Sequence, residues 1–324
     1  HIPYISAYYV GQYADNNQVF LQGYDMIRTF EDQVQLFASY PLSRSFRFDA
    51  GTGAAYYSYR IDRFVNYYDV QSGIPFDSRR FKLSKDEATR TYGVDFASFK
   101  IFNLNTAFVG DNSFFGVTSP LNGFRFRIGA ETYLGDYHFS ALTADLRRYL
   151  RIKPVTLAGR FYSYTRVGPD QERLYPLFIG YPYLIRGYES NSFYRRGGTV
   201  SGSSNFNIDQ LIGSKIAVAN FEVRLPFTGP EKLAAFPSKF LFSDLNAFFD
   251  IGLAYNKNST IAFRSSPRQV GVDENGQAVF ERVPAMSAGL SLRVNVFGYF
   301  VLEPYYAFPF QRTDVSGGVF GLTF

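Results

Sequence analysis

The sequence predicts an all-β, transmembrane antiparallel β-barrel. Three observations point to this fold class: apolar and polar residues alternate along most of the chain, the alternating runs are long, and their polar faces carry Arg and Glu beside Gly. In KIAVANFEVRLPF, Ala217, Ala219, Phe221, Val223, Leu225 and Phe227 share one face, and Asn220, Glu222 and Arg224 share the other. In FSDLNAFFDIGLAY, Leu245, Ala247, Phe249, Ile251, Leu253 and Tyr255 oppose Asp244, Asn246, Phe248, Asp250 and Gly252. MSAGLSLRVNVF and FRFRIGAETYL repeat the pattern, with Arg293 and Asn295, and with Arg125, Arg127 and Glu131, on their polar faces. A soluble sheet also alternates, with its apolar face inward. The runs 137–150, 214–227 and 239–255 exceed both the usual strand of about 5 to 6 residues and the roughly 9 to 11 that cross a bilayer. Tyr and Phe gather near run ends (Tyr56, Tyr57, Tyr59; Tyr305, Tyr306, Phe308, Phe310), which suits interfacial girdles.

Taken in order, about twelve strands are expected: 3–12, 19–41, 44–66, 88–115, 123–134, 137–150, 153–167, 214–227, 239–255, 284–297, 298–310 and 315–324. The connections YPLSR, SPLNG, RIKP and NVFGY are tight, whereas 67–87, 168–213 and 255–283 are long and polar. Short turns toward the periplasm and long loops outside give that asymmetry. Helices are expected to be essentially absent. No composition break divides the chain, so residues 1–324 read as a single barrel domain. The chain opens at His1 already in a strand pattern and without an initiator Met, which reads as a processed or excised piece.

Composition removes several chemistries. There is no Cys and no Trp, and the His are only His1 and His138, against 36 Phe and 26 Tyr. Disulfides, thiolate zinc sites, cysteine nucleophiles and histidine-rich metal centres are therefore excluded. The acidic stretches SKDEAT and GVDENG have too few well-spaced ligands for calcium, so no metal and no cofactor is expected. The net charge of +5 comes from 33 Lys and Arg interleaved with 28 Asp and Glu, without a basic block, so no nucleic-acid partner is expected. His138 and Ser140 share a strand face at a spacing similar to that of outer-membrane phospholipases. They follow a tight turn at Gly135-Asp136, no third member is visible, and a polar pair beside a turn is the preferred reading.

An aromatic-rich segment, GYPYLIRGYES, residues 180 to 190, lies within the long loop 168–213. LIRGYE resembles the Val-Arg-Gly-Phe/Tyr loop motif of the bacterial surface antigen superfamily, the BamA- and TamA-type barrels and the two-partner secretion transporters. NFEVRLPF is similar to that family's Glu-x-Arg-x-Pro strand, AFFDIG to its Phe-x-Asp-x-Gly strand, and VGDNSFFGVTSPLNGFRFRIGAE to its aspartate–turn–glycine hairpin. The four segments occur in the family's order, and the similarity is greatest over residues 104 to 324. The ending SGGVFGLTF, with Gly317 upstream and Phe320, Leu322 and Phe324 on one face, resembles the C-terminal assembly signal of bacterial outer-membrane barrels.

Parity alone puts Glu222 and Asp250 on the polar face of neighbouring strands. A guanidinium on a loop long enough to fold back inside can meet both carboxylates. The family resemblance favours that arrangement over an exposed arginine: Arg186, Gly187 and Tyr188 form a loop latch, with Glu222 and Asp250 as its lumenal partners. Glu131, Asp145, Arg147, Arg160, Arg166, Arg293 and Glu303 fall on the same face and read as salt-bridged filling.

The resemblance implies a non-enzymatic barrel in the bacterial outer membrane that assists insertion or translocation of polypeptides. Its partners are the lipid bilayer, client or passenger polypeptides, and accessory periplasmic proteins or upstream domains. Family members usually carry sixteen strands, so this chain is expected to be the C-terminal part of such a barrel. The alternatives are a general diffusion porin, a passive membrane anchor for an upstream periplasmic domain and, last, a barrel phospholipase.

Overall fold

A computed structural model of the chain describes residues 2–14 (backbone only), 19–93, 95–193 (Asn191 backbone only), 206–272, 276, 278–312, 315 and 317–323. Twelve strands form the main antiparallel ladder, and ladder neighbours follow chain order. They are β1 (Ile2–Ala14), β2 (Val19–Pro41), β3 (Phe46–Asp69), β4 (Phe99–Asp111), β5 (Pro120–Gly135) and β6 (Phe139–Ile152). They continue with β7 (Val155–Val167), β8 (Lys215–Gly229), β9 (Phe242–Tyr255), β10 (Ala285–Val296), β11 (Phe300–Pro309) and β12 (Val319–Thr323). The expected strand class and order hold, and the long segments beginning at 19 and 44 are each one unbroken strand.

Two compact units are present, one comprising His1–Phe37, Gly51–Leu104 and Tyr133–Tyr137, the other Ala38–Ala50, Asn105–Thr132 and His138–Phe324. In the first, β1 pairs with β2 from Ile2↔Glu31 to Ala14↔Val19. Three features of this unit differ from what the sequence predicts. The stretch 67–87 is not an open loop, because Pro75–Lys82 turns back and pairs with β3 from Tyr68 to Asp62. The strand expected at 88–115 starts only at Phe99. Before it lies a helix, α1 (Lys85–Tyr92).

Local chemistry explains α1. The Ser84 side chain accepts the Glu87 backbone N–H, Asp86 and Glu87 occupy the first turn, and Gly93 closes the helix at φ 66°. Eight residues are too few for a helical period to stand out against alternation. Ala88 and Leu83 pack with Ile27, Ile61 and Phe96 in a small core. Beside it Asp25, fully buried, accepts from Arg63 Nε and Nη2 at 2.7 and 2.6 Å and from the Tyr92 hydroxyl.

In the second unit β6 through β12 form consecutive antiparallel pairs. Alternation is plain in β9, where Asp244, Asn246, Phe248, Asp250, Gly252 and Ala254 are buried and the residues between them are not. Tight connections lie at 153–154 and 297–299; the latter is built on Phe297 and Gly298, both at positive φ. The turn expected at SPLNG sits slightly earlier, since Pro120 already pairs with Phe115. The connections 168–214 and 256–284 are long. The second contains a small hairpin, Gln269–Val272 with Ala278–Phe280. The first folds back on itself: Leu177 and Phe178 pair with Gly213 and Ile212.

That folded-back loop supplies the core of this unit. Ile179, Leu184, Ile185, Tyr188, Phe193, Phe206 and Leu211 pack against Ile216 and Val218 of β8, Ala254 of β9 and Ala285 of β10. Apolar residues thus occupy inward positions where β8 and β9 approach the loop, while Glu222, Arg224, Asp244 and Asn246 occupy them farther along the same strands. Gly252 makes the room. A Cβ there would collide with the Ile185 side chain.

Candidate functional site

Arg186 follows directly from that apolar docking. With Leu184 and Ile185 fixed, its side chain is carried onto the polar stretch of β8, β9 and β11 and is itself buried. Its Nε donates to Asp250 Oδ2 at 2.8 Å, its Nη2 to Asp250 Oδ1 at 2.8 Å, and its backbone N–H to Oδ2 at 3.2 Å. Nη2 also reaches Glu222 Oε1 at 3.0 Å, and Nη1 reaches Glu303 Oε1 at 3.2 Å. The guanidinium lies 3.6 Å over the Phe248 ring. A planar fork of donors suits this arrangement, and a lysine ammonium could not reproduce it.

The carboxylates are shared further. Glu222 also receives Arg224 Nε at 2.8 Å and Arg293 Nη2 at 3.0 Å, and Glu303 receives Arg293 Nε at 2.9 Å and Ser291 Oγ at 2.7 Å. Asn220 Nδ2 donates to Asp250 Oδ1 and to the Leu184 carbonyl, at 2.8 and 2.7 Å. Arg186, Arg224 and Arg293 therefore face Asp250, Glu222 and Glu303, a balanced set of charges on four strands and one loop. Balance is what low-dielectric surroundings require of buried ions.

Gly187 has φ 88°, a conformation that disfavours side chains, and a Cβ there would sit 3.1 Å from Ala307 Cβ. Tyr188 is fully buried and its hydroxyl donates to the Met286 carbonyl at 2.9 Å or to Gln311 Oε1 at 2.6 Å. Glu189 accepts from the Gly187 N–H and from the Tyr305 hydroxyl. A second anchor is Arg160, which bonds Asp145 and donates to the Tyr183 carbonyl at 2.9 Å. At the loop's root Asp170 accepts the His138 backbone N–H and Arg173, and these hold its carboxyl below the usual carboxylate range. A polar cavity of about 210 Å³ lies under the loop, lined among others by Arg147, Arg186, Glu222, Arg224 and Arg293.

Of the other singled-out residues, Ser140 Oγ lies 3.1 Å from Thr132 Oγ1. Phe320 and Leu322 stand exposed on β12 opposite Tyr306 and Pro304, and Gly317 lies before that strand. Phe324 is outside the described residues. Among the described residues no group of His, Cys, Asp and Glu could hold a metal.

The sequence profile of the Omp85 superfamily domain matches residues 16–324, nearly the whole chain. The chain belongs to the Omp85 superfamily. The protein is thus an outer-membrane β-barrel of Gram-negative bacteria, and its superfamily is one of polypeptide insertion and translocation. Among solved structures it is similar to CdiB from Acinetobacter baumannii, at 12% identity and a TM-score of 0.43, over 94% of this chain and 49% of that one. It spans about half the length of that structure. No curated protein matches the sequence.

Proposed function

We propose that this Omp85 barrel moves client polypeptides into or across the outer membrane, and that loop residues 180–190 are a latch held in its lumen by Arg186. The observation that carries this reading is the burial of Arg186 among carboxylates from β8, β9 and β11. A loop anchored to three strands can restrict the lumen and release it. The lipid bilayer, the client chain and accessory periplasmic proteins or upstream domains are the proposed partners.

No bond-making chemistry is proposed for the chain. Ser140 is engaged with Thr132, and its exchange for Ala is expected to change no lipid-cleaving activity. Fatty-acid release that disappears in S140A would favour a hydrolase instead. The test of the latch is single-channel conductance in planar bilayers before and after deletion of 180–190. Conductance should rise once the loop is gone, whereas an open porin would conduct about as well with the loop as without it.

A further inference from the structure

Arg148 stands on the other face of the wall. In β6, Asp145, Arg147 and Tyr149 point inward: Arg147 and Arg160 share Asp145, and Arg224 lies over the Tyr149 ring. Parity therefore directs Arg148 outward with Leu146 and Leu150, both exposed. No carboxylate among the described residues pairs with it. A cation on the lipid-facing side of a barrel is unfavourable unless it lies near the headgroups or finds an anion.

Its surroundings have a definite shape. Arg148 is directly opposite Gly159 on β7, and Gly159 is directly opposite Phe221 on β8. A Cβ at Gly159 would touch nothing within 4 Å, so the missing side chain leaves an open slot between cation and ring. Around it lies an open surface trench of about 640 Å³ whose exposed walls are mostly apolar, with Phe126, Leu146, Phe161 and Phe221 among them, and which Arg147 and Arg160 line together with Arg148. β6 ends at Ile152, beside the tight turn at 153–154. At about 3.3 Å per residue and a tilt of roughly 40°, Arg148 lies about 10 Å from that end along the membrane normal, within snorkelling reach of the headgroups.

We propose that this trench binds one anionic phospholipid of the periplasmic leaflet, its phosphate on Arg148 and an acyl chain laid over Gly159. Charge complementarity selects the headgroup, and the apolar surface beside it favours a lipid over a free anion. The inward latch and the outward lipid seat meet on opposite faces of β8, through Glu222 and Phe221.

The test is native mass spectrometry of the intact protein taken from nanodiscs of equal phosphatidylglycerol and phosphatidylcholine with matched acyl chains. The expected result is one retained phosphatidylglycerol per chain. Its occupancy should fall about tenfold in Arg148→Gln, the loss of one charge-assisted bond, and comparably in Gly159→Leu, which fills the slot. Arg148→Lys should retain most of it, and Leu290→Ala, on exposed β10 surface, should change nothing. Heat-modifiable migration on gels confirms that each variant is folded. Equal retention of the two lipids, occupancy indifferent to both trench variants, displacement by lipopolysaccharide, or pairing of two protein copies through this face would each overturn the proposal.

Discussion

Asp250 gives both carboxylate oxygens to Arg186, Oδ2 to Nε and Oδ1 to Nη2, each at 2.8 Å, across 64 residues of sequence. Both residues are buried, so removing one charge leaves the other uncompensated. Asp250→Asn is expected to destabilise the loop's docking by about 3–5 kcal/mol. Protease nicking within 180–190 and the denaturant midpoint of the reconstituted barrel both report it. A double-mutant cycle with Arg186→Ala should show strong coupling, since either change alone already breaks the bidentate pair.

Glu222 serves three guanidiniums, and its neutralisation leaves three arginines facing two carboxylates. Glu222→Gln should therefore lower the unfolding midpoint. Adding Arg224→Gln, which restores the balance, should recover part of the loss. A midpoint that falls additively in the double variant would show that charge balance is not what the cluster maintains.

Gly252 is a steric prediction rather than an electrostatic one. Its replacement by Val drives Cβ into Ile185, which should expel the loop and raise channel conductance toward that of the 180–190 deletion. Gly271→Val is the control, because nothing lies within 4 Å of a Cβ there.

Tyr188→Phe keeps the ring in the apolar core and removes only its hydroxyl. The Met286 carbonyl and Gln311 lose a buried partner, at a cost of about 1–3 kcal/mol. Amide exchange over 184–189 should accelerate, while the exchange of β8 and β9 should not.

Much of the fold is legible because a strand wall buries one face and greases the other, so a period of two runs through every long segment. β8 and β9 could be read residue by residue for that reason. The helix at Lys85–Tyr92 is too short to show in the period, although Ser84, the acidic first turn and Gly93 are end signals written in the sequence. In the candidate site, parity places Glu222 and Asp250 on one face of adjacent strands, and the register puts Asn220 opposite Asp250. Parity also puts Arg293 and Glu303 inside, but it cannot say that Glu303, on a strand two removed from β9, shares Arg186 with the others. Ion partners across several strands depend on register and on how deeply the loop enters, and neither is written locally. The Arg148 seat was hidden for a related reason: a glycine gap becomes a slot only when its cross-strand neighbours are known.

Whether loop 180–190 rests inside the barrel wall can be measured with an engineered disulfide, because the sequence has no native cysteine. Ile185 Cγ1 lies 3.1 Å from where a Cβ at position 252 would stand, close to the roughly 3.0 Å between a Cβ and the far sulfur of a disulfide. With Ile185→Cys and Gly252→Cys combined, oxidation in intact outer membranes should join the pair almost completely, read as a shifted band on non-reducing gels and loss of thiol labelling. Two freely labelled thiols in a barrel that still folds would show that the loop does not dock there.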